Sequence, residues 1–167
     1  MYMSMLTGKH SEGFTKDTMY RFLNSVSANW MRFTSLLSAR IVATTIEKLT
    51  NEDRVNVLIL DDTIFERNSS KKVELLSKMY DHAKKSYKLG FRLLTLGWSD
   101  GNTFLPVNSC LLSSENRKNR IVDAKSLDKR TAGYCRRRLA QTKATSVMLE
   151  LIDQAMSAGL QVISQAW

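Results

Sequence analysis

The stretch that most constrains this chain is Val55–Thr63, Val-Asn-Val-Leu-Ile-Leu-Asp-Asp-Thr. Strand side chains alternate, so Val55, Val57 and Ile59 point one way and Asn56, Leu58 and Leu60 the other. Apolar residues on both faces are the pattern of a central strand covered on both sides. Asp61 and Asp62 then stand at its C-terminal end, where open α/β sheets place ligands and catalytic groups. Alternation sends the two carboxylates to opposite sides, and periodicity does not choose between them. They read either as a turn that ends a strand or as catalytic acids.

The composition narrows this choice. The chain has 167 residues, 43% of them hydrophobic and 25% charged, as in a globular protein. A chain of this length buries roughly 70% of its unfolded surface, enough for a real core. The net charge of +9 favours phosphate partners through counterion release. No apolar run reaches the length of a membrane span, and Met1–Gly8 lacks the pattern of a signal peptide. The expected compartment is the cytoplasm, with no membrane partner. Cys110 and Cys135 have no metal-ligand spacing and read as free thiols.

Met1–Gly13 reads as a loop or frayed end. Thr15 caps a short helix carrying Met19, Phe22 and Leu23, which ends near Asn24–Ser25. Asn29 caps a second helix running to Leu49, with an apolar stripe of Trp30, Phe33, Leu36, Leu37, Ile41, Ala43 and Ile46. The pair is either a helix-turn-helix DNA reader or two helices packed on the core. Thr50–Asp53 breaks the chain before the strand, so residues 1–50 form a helical N-terminal region, with DNA contact as one reading, and residues 51–167 the remainder.

Val73–Lys84 reads as a weak helix or a long loop. Its His82 is either a phosphate or carboxylate partner or a surface histidine. Gly90–Trp98 and Thr103–Leu112 flank Ser99-Asp100-Gly101-Asn102, the marker of a β-hairpin. Pro106 assigns the second strand to a sheet edge. The expected order is edge strand, hairpin partner, then the Asp-bearing strand on the far side.

Ser113–Lys143 holds ten Lys or Arg against three acids. It reads partly as a solvated face. The arginine density also favours phosphate contact by Arg117, Lys118, Arg120, Lys129, Arg130 and the Arg136-Arg137-Arg138 triplet. Ala144, Val147, Met148, Leu151, Ile152 and Ala155 then mark a helix stopped by Gly159, and Leu160–Ile163 begins another strand. The predicted fold class is α/β: a partial RNase H-like core of strand, hairpin and crossover helix, preceded by a small helical region.

Several runs together resemble the DDE transposases of IS4-type bacterial insertion sequences. They are Leu60-Asp61-Asp62-Thr63, Phe65-Glu66-Arg67, Lys71-Lys72-Val73-Glu74-Leu75-Leu76, Tyr80-Asp81-His82, Leu94–Asn102 and Leu111–Asn116, with Thr15–Leu23 ahead of them. The resemblance spans residues 14 to 159. It implies an RNase H-like core in which Asp, Asp and Glu hold two divalent metals, normally Mg²⁺. Two such ions about 3.5–4 Å apart activate the nucleophile and stabilise the leaving oxygen in phosphoryl transfer. The implied partner is double-stranded DNA at transposon ends, with an intact transposase or a second copy as a protein partner. The family's first Asp stands directly before Thr, which matches Asp62 as catalytic residue and metal ligand, with Asp61 as second choice.

The family's second Asp belongs at the strand after the crossover helix. Gly159–Trp167 contains no acid, and the family's Glu has no counterpart. The resemblance implies that residues 51–167 are the incomplete N-terminal half of an RNase H-like DDE catalytic domain, and the expectation is a truncated transposase segment that binds Mg²⁺ weakly and does not cut DNA by itself. The alternative is a non-catalytic DNA-binding protein or inhibitor derived from a transposase.

Overall fold

A computed structural model describes residues 16–49, 54–160 and 162. The N-terminal loop, the Thr15 cap, the Thr50–Asp53 break and half of the final strand expected over Leu160–Ile163 lie outside the described residues.

The chain is a mixed α/β protein whose helices pack on an antiparallel sheet. The elements run α1 (Lys16–Leu23), α2 (Trp30–Ile41), β1 (Val57–Glu66), β2 (Ser77–Asp81), β3 (Ser86–Ser99), β4 (Phe104–Leu112), α3 (Ala132–Leu139) and α4 (Ala144–Ser157). This arrangement is compatible with a partial RNase H-like DDE nuclease fold, as the sequence predicts.

The hairpin forms as its turn chemistry dictates. Asp100 accepts hydrogen bonds from the backbone N–H groups of Asn102 (3.0 Å) and Thr103 (2.6 Å). Gly101 supplies the left-handed residue at φ +86°. The Asp100 carboxylate is 2% exposed and is held from the other side by Arg54 at 3.0 Å, which ties the approach to β1 to the hairpin tip. Pro106 stands opposite Gly97, next to a register shift, so its missing N–H costs the ladder little.

The central strand is β3. It pairs with β1 along one edge, from Ser99 opposite Val57 to Gly90 opposite Glu66. Its other edge is shared end to end, by β4 over Arg92–Ser99 and by β2 over Ser86–Gly90. Gly90 therefore faces β1 on one side and β2 on the other. A Cβ there would stand 2.2 Å from the Phe65 carbonyl oxygen. The order β4, β3, β1 is the expected one.

Three expectations are corrected. First, β1 is not a central strand covered on both faces. Among the described residues it pairs only with β3. Leu58 and Leu60 pack on the core, but Val57 and Ile59 on the other face are 39% and 42% exposed. Nor do the two acids end the strand, which continues four residues beyond Asp62. Second, the weak helix or loop expected over Val73–Lys84 contains strand β2. Its inward residues are Ser77, Met79 and Asp81, so the period of two is there without the usual hydrophobic signal.

Third, α2 is turned over. Asn29 does cap it, accepting from the Arg32 N–H at 3.0 Å, and helical turns continue to Leu49. The residues it buries are Met31, Ser35 and Ser38. Asn108 on β4 donates to the Met31 carbonyl and to Ser35 Oγ, each at 3.0 Å, and Ser38 donates to the Pro106 carbonyl at 3.2 Å. Serine and asparagine thus let the helix lie close against β4 with its polar groups satisfied. The middle of the apolar stripe points outward, with Phe33 55%, Leu36 47% and Leu37 46% exposed, while Trp30 and Ile41 are half-buried and Ile46 packs against the core.

Helix α4 follows its pattern. Val147, Leu151 and Ala155 are fully buried and meet Leu94, Leu96, Trp98, Val107 and Cys110 in the main core. Gly159 at φ +92° ends the helix, and Leu160 is buried beyond it. A smaller cluster of Leu75, Leu76, Phe91 and Ala140 fills the space where the Val73–Leu76 turn meets the end of α3. Glu74 fastens that turn, accepting from Arg137 Nη2 at 2.8 Å and from the Lys125 N–H at 2.7 Å.

Candidate active site

Strand β1 decides where the paired acids go. Asp62 continues the face of Leu58 and Leu60, so it emerges where the main core gives way to solvent. It opens onto a cleft of about 560 Å³ that also takes in Lys78, Asp81, His82, Arg92, Glu115 and Lys143. Asp61 belongs to the opposite face with Ile59 and Thr63, and does not line this cleft. The pleat thus separates the two candidates: only Asp62 is brought together with other charged groups.

Arg92 is the immediate neighbour of Asp62. Asp62 stands opposite Leu94 in the ladder and Arg92 opposite Ile64, which makes the two residues a diagonal cross-strand pair. Arg92 Nε donates to Asp62 Oδ1 at 3.2 Å and Nη2 to Oδ2. The carboxylate therefore spends both oxygens on one guanidinium.

The other acids of the cleft are differently placed. Asp81 Oδ1 accepts from the N–H groups of Ala83 and Lys84, each at 3.0 Å. These bonds, led by that from Lys84, hold its carboxyl below the usual carboxylate range. Asp81 is thus committed to the turn that joins β2 to β3. Glu115 is exposed on the segment after β4. His82 is exposed too, set edge-on to Tyr80 at 5.0 Å, with Tyr80 in turn against Tyr87 at 5.2 Å.

This donor set does not fit a two-metal centre. Among the described residues no group of three His, Cys, Asp or Glu stands together as ligands. A hard divalent cation needs several free oxygens; here Asp62 is paired and one Asp81 oxygen is capped.

The basic residues predicted as phosphate contacts divide into two sets. Arg117 pairs with Asp123 at 2.7 Å and Arg130 with Asp128 at 3.0 Å. Arg120 hydrogen-bonds Gln141, and Arg137 is bound to Glu74. Lys118, Lys129, Arg136 and Arg138 make no ion pair with the described residues. Arg130, Arg136 and Arg138 line a groove of about 410 Å³ against the start of α2. Both cysteines are free. Cys110 is buried on β4, and burial pushes its thiol up to about 11.

Sequence reasoning did not single out Lys78 and Arg92 beside Asp62. The available signal was Arg92 itself, an arginine near the start of the otherwise apolar run Gly90–Trp98. Its position relative to Asp62 needed the strand register.

A family model described as DDE superfamily endonuclease matches residues 3–164. The chain belongs to that family. Membership brings DNA as the implied substrate and chemistry of the kind that uses divalent metal ions. Comparison with curated proteins and with solved structures gave no match. Among the described residues of this DDE endonuclease, no helix is long and apolar enough to cross a membrane.

Proposed function

We propose that this DDE endonuclease chain is the Asp62-bearing segment of an IS4-type transposase, and that it does not cut DNA unaided. The observation that carries the reading is the position of Asp62: on β1, at the margin of the core, facing a cleft that also holds Lys78, Arg92 and Lys143. The cations that line this cleft suit a phosphodiester, and Asp62 among them is the one carboxylate this reading would offer to Mg²⁺. Asp62 is the catalytic and metal-binding residue of this reading, with Asp61 set aside because it belongs to the other face.

Silence follows from what the described residues bring to Asp62. No second and third carboxylate converge on it, so the developing charge on a leaving oxygen has no second clamp. In this division of labour the helical region up to residue 50 contributes DNA contact and the rest the acid-bearing sheet. The test is a strand-cleavage assay on DNA carrying transposon ends, with Mg²⁺ or Mn²⁺. The full chain should leave the DNA intact. Cleavage that is lost in Asp62→Ala would establish activity and overturn the silent reading.

A second reading is a DNA-binding protein or inhibitor that occupies transposon ends or pairs with an intact transposase. It draws on Lys118, Lys129, Arg136 and Arg138, whose charges the described acids leave uncompensated. Binding to end-containing duplexes that is unaffected by EDTA and by Asp62→Ala, together with reduced cleavage by an added active transposase, would favour it.

A further inference from the structure

We propose that Arg92 is a built-in counter-cation for Asp62, so that a divalent ion reaches this carboxylate only when Arg92 turns away. Asp62 meets the guanidinium with both oxygens, through Nε to Oδ1 at 3.2 Å and through Nη2 to Oδ2. Those oxygens are the ones a hard cation would take. Binding is therefore an exchange of cations, not the filling of a free site.

The pair is built to form. Diagonal placement on neighbouring strands sets the two side chains at interacting distance. The Asp62 side chain retains 23% exposure and Arg92 47%, so water and salt weaken the bond without abolishing it. Lys78 and Lys143, which line the same cleft, add positive potential, which opposes entry of a dication. Asp81 offers little help, since its Oδ1 is held by two backbone donors. Arg92 is thus a positioning residue: it keeps Asp62 oriented and covered. A phosphate group is a natural second partner for its fork of donors, which gives the guanidinium somewhere to go when nucleic acid enters.

The inference rests on the proposed reading's choice of Asp62 as the metal-binding carboxylate, but not on any cleavage. The experiment is a titration of the full chain with Mn²⁺ alone, read from the loss of free-ion paramagnetic resonance signal. Arg92→Gln should bind Mn²⁺ roughly fivefold more tightly than the unmodified chain, the scale of one partly exposed ion pair. The gain should vanish in the double variant Arg92→Gln with Asp62→Asn. Equal affinity of the unmodified chain and Arg92→Gln, or a gain that survives in the double variant, overturns the proposal.

A second measurement needs no change at Arg92. The Arg92 Nε–H should give a slowly exchanging nitrogen-resolved resonance that collapses in Asp62→Asn; a resonance already in fast exchange in the unmodified chain overturns the pair. The two tests fail separately: cleavage that is lost in Asp62→Ala would overturn the silent reading and leave the Mn²⁺ outcome readable, whereas failure here, with the DNA left intact in the cleavage assay, would leave that reading standing.

Discussion

At the scale of single residues, acids in this chain do three different jobs that the sequence writes with similar letters. Asp100 and Asp81 are turn residues whose oxygens collect backbone N–H groups. Asp62 is held by a side-chain cation across a strand boundary. Glu74 bridges a turn to a helix through Arg137, and that bond holds its carboxyl below the usual 4.5 against the opposing effect of burial. A lowered folded value means that the unfolded chain binds protons first on acidification. The stabilisation is fully present above about pH 4.5 and is lost as pH falls through the folded value. Asp81 and Asp128 are lowered as well and act in the same direction. Glu74→Gln should therefore flatten, but not remove, the acid limb of a stability-versus-pH curve measured by urea denaturation. An unchanged acid limb would mean that the Glu74–Arg137 bond contributes nothing to folding.

At the scale of elements, α2 is the most informative departure from pattern reading. Its hydrophobic residues are real and at helical spacing, yet the face that meets β4 carries Ser35 and Ser38. Phe33→Ser and Leu36→Gln should each change unfolding free energy by no more than about 0.5 kcal/mol, as surface substitutions do. Asn108→Leu should cost roughly 2 kcal/mol, because it removes the donor that the Met31 carbonyl and the buried Ser35 Oγ accept from. Thermal or urea unfolding of the three variants tests both statements; the reverse ranking would mean that α2 packs by its apolar stripe.

The same contrast explains what could be read in advance. The hairpin was legible because Asp100 and Gly101 act locally, and α4 because Val147, Leu151 and Ala155 bury themselves at their own spacing. Strand β2 was not, because Ser77 and Asp81 occupy inward positions on hydrogen bonds instead of hydrophobicity. The cleft was half legible: alternation separates Asp61 from Asp62, but nothing in the linear order shows that Arg92 comes to lie diagonally across from Asp62. That needs the register between strands thirty residues apart in these pairings.

At the scale of the whole molecule, the +9 charge is not a uniform coat. Several arginines of the Ser113–Lys143 region are spent on Asp123, Asp128 and Glu74, and only part of the basic surface is free to meet phosphate. If DNA is held by the uncompensated set, Lys129→Ala and Arg138→Ala should each weaken binding to any duplex and lower the slope of log affinity against log salt by about one. Arg137→Ala should instead lower folding stability. Fluorescence anisotropy between about 50 and 200 mM salt, paired with thermal melts, separates the two classes; Arg137→Ala behaving like Lys129→Ala would contradict the division.

The position of β1 has a consequence for how solvent reads the sheet. A strand hydrogen-bonded to one neighbour directs every second amide toward that neighbour and the amides between them away from it. Val57–Glu66 should therefore exchange deuterium in an alternating pattern, slow and fast along consecutive residues, while the same spacing of amides in β3 is protected at almost every position. The rhythm would break wherever another chain segment comes to lie against β1, so a comb of exchange rates is a direct readout of whether that edge has found company.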